Sequence, residues 1–325
     1  GEKRLLLPFF RNGMQTELFP IQRFALDYWK GKGYYKAKYS DNVPGYFTES
    51  DDQSVEEKKK DPGKMKQTGT GRTYTIKELA SYSFLLEHFY IVDETTSMTK
   101  QELNGIKLVK TDLSAKLGKG EPLVLIYHTH GSEAYRGSRK GRKSDTVIGV
   151  GDVLTKRLEQ KNIKVVHDRN IYDVKNGKEE RSKAYNYAAT AIEKNLKKYP
   201  SIQVVIDLHR DGVNESTKLV TRQNGKRMAQ IMFFNGMSRT ATNGNIKYLK
   251  NPNKQTNLAF SLQLQAQAAL KYPGFTRKIY VKGYRYNLHY RGRSLLVEVG
   301  AQNNTLSEAK ASMSLLAELL NNVLY

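Results

Sequence analysis

Two histidines and a carboxylate stand within six positions of the sequence, in the stretch His128-Thr129-His130-Gly131-Ser132-Glu133. This stretch follows an apolar run, Leu123 to Tyr127, which predicts a buried strand, and its glycine and serine predict a loop. Ligands of open α/β sheets bind at the carboxyl ends of such strands, and zinc in proteins accepts His and carboxylate ligands. Because His130 and Glu133 are three residues apart, one short turn presents both to a single ion.

Further polar residues follow or interrupt apolar runs later in the chain. His209, with Arg210 beside it, directly follows one apolar run, and Glu298 lies inside another. Burying a carboxylate without a partner costs much free energy. The position of Glu298 therefore predicts a metal ion or a metal-bound water that compensates its charge. Together with Glu133 and the histidines of the first stretch, these residues match a catalytic zinc site with three protein ligands and a general base.

Each of these signals by itself also has an ordinary structural interpretation. A histidine near a strand end is more often a hydrogen-bonded core residue than a ligand. Glu133 alone fits a surface loop, and Glu298 alone fits an ion pair with Arg291 or Arg293. His167 ends another short apolar run and is a weaker candidate for the same crevice.

Predicted strands and helices alternate from residue 121 onward. This alternation favours an α/β fold with a mostly parallel, twisted sheet covered by helices on both faces. Lys218 to Thr221 and Met228 to Phe234 predict a hairpin across Gln223-Asn224-Gly225-Lys226. Thr305 and Glu308 predict a capping box for a final amphipathic helix. The other amphipathic helices are predicted near 150–158, 184–196 and 258–270.

The first 120 residues predict a smaller N-terminal accessory domain, separate from a catalytic domain over 121–325. A helical stripe begins at Met14, and a polar insert poor in apolar residues spans about 49–72. A capping box formed by Thr75 and Glu78 predicts a helix after the insert. Polar turns near 113–120 predict the linker between the two domains.

The composition is strongly basic, with a formal net charge of +22 and a sequence pI near 9.8. Such a field favours anionic partners: nucleic acid, acidic lipid headgroups or cell-wall polymers. Lys and Arg are spread along the chain without a dense basic arm, which disfavours a nucleic-acid partner. The absence of cysteine excludes disulfides and thiolate ligands.

No apolar run approaches the roughly 18 residues of a membrane span. Because the chain opens with Gly1 rather than Met, we expect a processed or trimmed piece from which any membrane anchor is missing.

Three motifs together resemble the stage II sporulation protein P family. They are Tyr127-His-Thr-His-Gly-Ser-Glu-Ala-Tyr135, Val205-Ile-Asp-Leu-His-Arg-Asp211 and Leu296-Val-Glu-Val-Gly-Ala-Gln-Asn-Asn-Thr305. The order and spacing agree over about 121–325, and Phe89-Tyr-Ile-Val-Asp93 extends the resemblance toward the N-terminus. The catalytic part of that family is similar to zinc-dependent N-acetylmuramoyl-L-alanine amidases.

The resemblance implies zinc ligands at His130, Glu133 and His209 and a general acid–base at Glu298. Those amidases usually take the ligand carboxylate from the helix after the first strand, where this chain has Lys143-Ser144-Asp145. Glu133 replaces it here, in the His-x-x-Glu arrangement of zinc carboxypeptidases, with His128 or Asp145 as the other candidates for that position. Arg210 is a candidate auxiliary residue that would hold an oxyanion. His128 is a second candidate auxiliary residue of the site.

The implied activity is peptidoglycan hydrolysis during sporulation engulfment, at the amide between N-acetylmuramic acid and L-alanine. The resemblance also implies cleavage of stem-peptide cross-links as a further activity. The implied partners are stage II sporulation proteins D and M, at an anchored, extracytoplasmic position facing the cell wall. The alternative is a catalytically inactive wall-binding module whose histidines are structural, and zinc content separates the two.

Overall fold

The computed structural model describes residues 71–116 and 120–325. The helical stripe beginning at Met14 and almost all of the polar insert predicted near 49–72 lie outside these residues. Within the described ranges no helix is both long and apolar enough to cross a membrane.

Helices in the described residues are α1 (Ile76–Ala80), α2 (Tyr82–Phe89), α3 (Gly105–Lys110), α4 (Val147–Glu159), α5 (Arg181–Lys198), α6 (Lys254–Lys271) and α7 (Leu306–Leu324), with a 3-10 turn at Lys143–Asp145. Strands are β1 (Tyr90–Val92), β2 (Val124–Tyr127), β3 (Val165–His167), β4 (Val174–Lys175), β5 (Lys178–Glu179), β6 (Val204–Asp211), β7 (Val220–Gln223), β8 (Lys226–Ala229), β9 (Ile231–Gly236), β10 (Arg239–Thr240), β11 (Gly244–Asn245), β12 (Ile279–Lys282) and β13 (Ser294–Ala301).

A seven-stranded sheet in the order β1-β12-β9-β13-β6-β2-β3 forms the centre of the molecule. Every neighbouring pair is parallel except β13 and β9, so the predicted mostly parallel α/β sheet is confirmed. The exception has a local cause. Only the β7–β8 hairpin separates β6 from β9, and without a helical crossover the chain re-enters the sheet from the end where β6 left it.

Helices cover both faces of the sheet, as predicted. Apolar residues of α4, α6 and α7 share one large core with Ile126, Leu208 and Val297. On the opposite face, α5 packs Ala188, Ile192 and Leu196 against β2 and β6. The strands between these layers are therefore buried on both sides, which explains why they read as continuous apolar runs.

Residues 71–116 pack into the same core as the later strands. β1 lies at the edge of the main sheet, with Tyr90 opposite Ile279, and Leu79, Leu85 and Leu108 are buried in the large core. The domain boundary near residue 120 remains a prediction, but this described part of the N-terminal region is integral to the sheet.

Local sequence signals account for several element ends. Both predicted capping boxes are confirmed, at Thr75 with Glu78 and at Thr305 with Glu308. The hairpin forms across Asn224 and Gly225, whose positive φ values of 49° and 75° suit a type I′ turn.

Candidate active site

Three neighbouring strands bring the predicted site residues to one edge of the sheet. β13, β6 and β2 run parallel and side by side, so their carboxyl ends meet. Glu298 on β13 is the direct register partner of His209 on β6. Parallel register partners on adjacent strands lie about 5 Å apart with side chains on the same face, so these two residues are immediate neighbours.

The turn after β2 carries His130 and Glu133 toward His209. The Glu133 N–H donates to the His130 carbonyl at 3.1 Å, which closes a tight turn between them. The His130 and His209 rings meet edge to face, with centroids 5.3 Å apart. Glu133 Oε2 lies 3.4 Å from His209 Nδ1. Tertiary packing thus assembles four predicted site residues, Glu298 included, at one place.

His209 is held between two buried carboxylates. Its Nε2 lies 2.8 Å from Asp207 Oδ1, opposite the Glu133 contact at Nδ1. Burial by itself lowers the pKa of His209, but Asp207 and Glu133 outweigh it and raise that pKa well above its usual value. Burial likewise opposes ionisation of both carboxyl groups, yet His209 outweighs it and lowers the pKa of each.

Asp207 links the two halves of the cluster, and we did not single it out from the sequence. Its Oδ1 accepts from the Thr129 N–H at 2.9 Å, and its Oδ2 accepts from the Thr129 hydroxyl at 2.6 Å. Thr129 immediately precedes His130, so one fully buried carboxylate holds both the turn after β2 and the ring of His209. A carboxylate inside the apolar run of β6 was the available signal, of the same kind as Glu298.

Arg181 and Asp173 complete the surroundings of Glu133, and the sequence pattern marked neither. Arg181, the first residue of α5, donates through Nη2 to Glu133 Oε1 at 2.9 Å. Its Nη1 lies 3.7 Å from Asp173 Oδ2. Asp173 also accepts from the Ser132 N–H and hydroxyl, and it lies 3.8 Å from His130 Nδ1.

Glu298 has no ion pair with Arg291 or Arg293, so that structural alternative is wrong. Both arginines lie at the opposite end of β13 and donate to backbone carbonyls of Ile202 and Leu113. Glu298 Oε2 is buried and has no hydrogen-bond partner among the described residues. Burial raises the pKa of Glu298 well above its usual value, and His209 only partly offsets this.

His128 and His167 form a separate buried pair on the other side of β2. His128 Nδ1 lies 2.8 Å from the Leu208 carbonyl, and its Nε2 lies 2.8 Å from His167 Nε2. Burial lowers the pKa of His128 to about 3 and that of His167 to about 4. His128 and His130 therefore lie on different sides of β2, because the chain leaves extended geometry after Tyr127.

Arg210 lies beside the cluster but turns its guanidinium away from it. Its backbone N–H donates to Glu133 Oε2 at 3.1 Å, while its Nε donates to the Ala134 carbonyl at 3.2 Å. Asp145, the other candidate ligand, is held by Arg139 through Nε and Nη2, at 2.6 and 2.9 Å. Arg210 therefore supports Glu133, and Asp145 closes the loop that precedes α4.

The cluster offers the donor types that zinc takes, but its side chains pair with one another instead of surrounding an ion. Across the part of the chain that the structure describes, no three His, Asp or Glu side chains are arranged to hold a metal. The Glu133 oxygens are engaged by Arg181 and Arg210 instead. The chemistry nevertheless fits, since two imidazoles and a carboxylate converge and both ring nitrogens of the buried His130 lack a hydrogen-bond partner.

Fold and site together define an α/β protein with a buried imidazole–carboxylate cluster at the carboxyl ends of adjacent parallel strands. Residues 27–321 match the model of the family described as Stage II sporulation protein P. The chain belongs to that family.

One curated relative is the Stage II sporulation protein P of Bacillus subtilis (strain 168). It is 25% identical over 216 residues, which cover 62% of this chain and 51% of the relative. The match thus spans about half the length of that relative.

Solved amidase structures overlap with part of the fold. An N-acetylmuramoyl-L-alanine amidase from Nostoc punctiforme has a TM-score of 0.38 and 14% identity, covering 63% of this chain and 97% of its own. The corresponding amidase from Clostridium difficile 630 has a TM-score of 0.32 and 17% identity, covering 62% and 95%. Similarity at this level assigns neither a substrate nor a cofactor.

Proposed function

We propose that this protein is a zinc-dependent peptidoglycan hydrolase that cleaves the amide between N-acetylmuramic acid and L-alanine. The observation that carries the proposal is the placement of Glu298 as the strand neighbour of His209, beside His130 and Glu133. Membership of the stage II sporulation protein P family supports a role in sporulation. The net charge of +22 suits an anionic wall.

His130, Glu133 and His209 are the residues that would hold the ion. A bound zinc ion supplies Lewis acidity to an amide carbonyl and to an attacking water. Glu298 takes a proton from that water at its unpartnered Oε2 and later returns it to the departing amine. Asp207 keeps the His209 ring in place, as carboxylates behind metal-bound histidines do.

Membership of the family supports a proposal about the wider setting. We propose an extracytoplasmic position at the engulfing membrane, with the cell wall as substrate. The proposed partners are stage II sporulation proteins D and M. A second activity, endopeptidase cleavage of stem-peptide cross-links, belongs to the same proposal.

Two substitutions test the roles of ligand and base. His209→Ala is expected to lower both zinc content and activity, because the two remaining protein ligands hold the ion poorly. Glu298→Gln is expected to keep its zinc and lose about 10²–10⁴-fold in turnover, the usual contribution of an acid–base group. The measurements are zinc per chain by elemental analysis and mass spectrometry of products from purified peptidoglycan.

The matched control is Glu159→Gln, an exposed carboxylate at the end of α4. It should change neither zinc content nor turnover. Free stem peptides among the products mean amidase, and cut cross-links mean endopeptidase. Loss of zinc from Glu298→Gln would make Glu298 a ligand, and a zinc-free, inactive parent chain would leave the inert wall-binding module as the better assignment.

A further inference from the structure

The loop between Glu133 and α4 carries a concentrated positive charge. Its residues 136–143, here called the cationic loop, include five cations: Arg136, Arg139, Lys140, Arg142 and Lys143. All five are exposed. Asp145 is the only acidic residue between Glu133 and Asp152, and its carboxylate is engaged by Arg139. The charge of the loop is therefore largely uncompensated.

Several cations of the loop are available to a ligand. The side chains of Arg136, Lys140 and Arg142 have no ion pair or hydrogen bond with any residue in the described ranges. Exposed cations of this kind are usually only solvated. Here the backbone of the loop is fixed, which distinguishes them from scattered surface lysines.

Hydrogen bonds at both ends and in the middle hold the cationic loop in one conformation. Ala134 and Thr146 form a bridge across its base. The Ser138 hydroxyl donates to the Asp145 carbonyl at 2.6 Å, and the Arg139 guanidinium donates two hydrogen bonds to the Asp145 carboxylate. A preformed loop binds a ligand with less loss of conformational freedom than a mobile one.

The loop also borders the candidate active site. The Arg136 N–H donates to the Asn304 carbonyl at 2.9 Å, and Asn304 lies just beyond β13, the strand of Glu298. Arg136 follows Glu133 by three residues, so their Cα atoms are at most about 11 Å apart. A peptide extended from the cluster covers about 3.3–3.6 Å per residue, so its second and third residues lie about as far from the cluster as the loop does.

We propose that the cationic loop binds an acidic peptide through its carboxylates. The carboxylates that it binds belong to the residues two and three positions beyond the scissile amide. The inference rests on the proposed function, because it takes the cluster at His209 as the place of cleavage. The loop then selects substrates whose peptide is ionised at these positions. Arg181 is closer to the cluster but donates to Glu133, and the Arg210 guanidinium donates to the Ala134 and Asp211 carbonyls, which leaves this task to the loop.

The test is direct binding to the full chain carrying Glu298→Gln, so that the probe is not consumed. The probe is a fluorescent N-acetylmuramoyl peptide whose second and third residues carry free carboxylates, compared with the same compound amidated at both. Replacing Arg136, Lys140 and Arg142 together by Gln should weaken binding of the acidic probe roughly tenfold, the loss expected for a few exposed ion pairs. Binding of the amidated probe should stay unchanged.

A matched variant removes three cations elsewhere: Lys164→Gln, Lys194→Gln and Lys197→Gln, which lie on or near the far ends of β3 and α5. It should bind both probes like the parent. The inference would be overturned if the loop variant lost equal affinity for both probes, or if this control lost as much affinity as the loop variant. It would also be overturned if the parent bound neither probe.

Cleavage is scored separately in chains that retain Glu298. If the acidic and amidated probes are cleaved at the same rate and bound with the same affinity, the proposed function is supported. The loop then has no role in selecting the substrate. A loop-dependent preference for the acidic probe without any cleavage removes the proposed reaction and keeps the binding site.

Discussion

His209 shows how buried charges balance one another at the scale of single residues. Its two ring nitrogens face Asp207 and Glu133, and Glu133 in turn faces Arg181. A charge in this environment costs several kcal/mol unless it is paired, so each member depends on the next. Asp207 also accepts two hydrogen bonds from Thr129 and so joins His209 to the turn after β2.

Replacing Asp207 by Asn is expected to weaken zinc binding while the fold persists. The amide keeps the size of the carboxylate and can still accept from Thr129, but it removes the negative charge 2.8 Å from His209 Nε2. Loss of such a partner behind a ligand typically costs about 10–100-fold in metal affinity. The measurement is zinc affinity by chelator competition, with circular dichroism as a check of folding.

Asp152→Asn is the matched control for this prediction. Asp152 contacts His167 at 3.2 Å and Arg169, away from the cluster. It should leave zinc affinity unchanged. Equal affinity in Asp207→Asn and the parent chain would mean that Asp207 only stabilises the fold.

Close approach of α4 to the sheet fixes the position of β2 at the scale of elements. Gly151 of α4 lies against the His128–His167 pair. A Cβ added there would stand 2.7 Å from His167 Nε2 and 2.8 Å from His128 Nε2. The helix can lie this close only because residue 151 has no side chain, and the strand end that leads to His130 is held by that contact.

Gly151→Ala is expected to destabilise the protein even though alanine favours helices. Alanine stabilises a helix by about 1 kcal/mol relative to glycine, whereas overpacking of a filled core costs about 1–3 kcal/mol. The two side chains are buried and cannot move away freely. Urea denaturation should therefore show a lower free energy of unfolding.

Lys156→Ala, on the exposed side of α4, tests helix propensity without packing. It should change the free energy of unfolding by less than about 0.5 kcal/mol. If the Gly151→Ala protein were more stable than the parent, the two histidine rings would have moved to make room for the methyl group. The helix propensity of alanine would then outweigh the cost of overpacking.

The whole molecule depends on residues 71–116 for one edge of its sheet. β1 covers the edge of β12, and Gln263 on α6 donates to the Leu108 and Thr111 carbonyls, each at 2.9 Å. Leu79, Leu85 and Phe89 are almost fully buried in the common core. This segment therefore shares one core and one sheet with the elements that carry the candidate site.

A chain of residues 121–325 should be much less stable than one of residues 71–325. Removing the segment exposes core leucines and leaves β12 as an open edge, which promotes association between chains. Thermal melting should give a clearly lower Tm for the shorter chain, and size-exclusion chromatography should show larger species. Equal Tm values with monomeric elution would support the predicted boundary near residue 120 as a division between independent domains.

Local patterns in the sequence were enough for much of the fold. The buried strands, the two capping boxes and the hairpin at Asn224-Gly225 depend on residues close together in the chain, so their periodicity and turn chemistry predict them. The same holds for the positions of His130 and His209 after apolar runs and of Glu298 within one, because the bounds of an apolar run are visible in the sequence.

Tertiary structure alone decided which of these residues have partners and which partners they have. The contacts of Asp207 with His209 and of Arg181 with Glu133 join segments far apart in the chain, and they depend on strand register that no local pattern specifies. The separation of His128 from His130, the reversed direction of β9 and the position of β1 at the sheet edge have the same origin. Each is set by the order in which distant strands pair, because pairing order determines which side chains become neighbours.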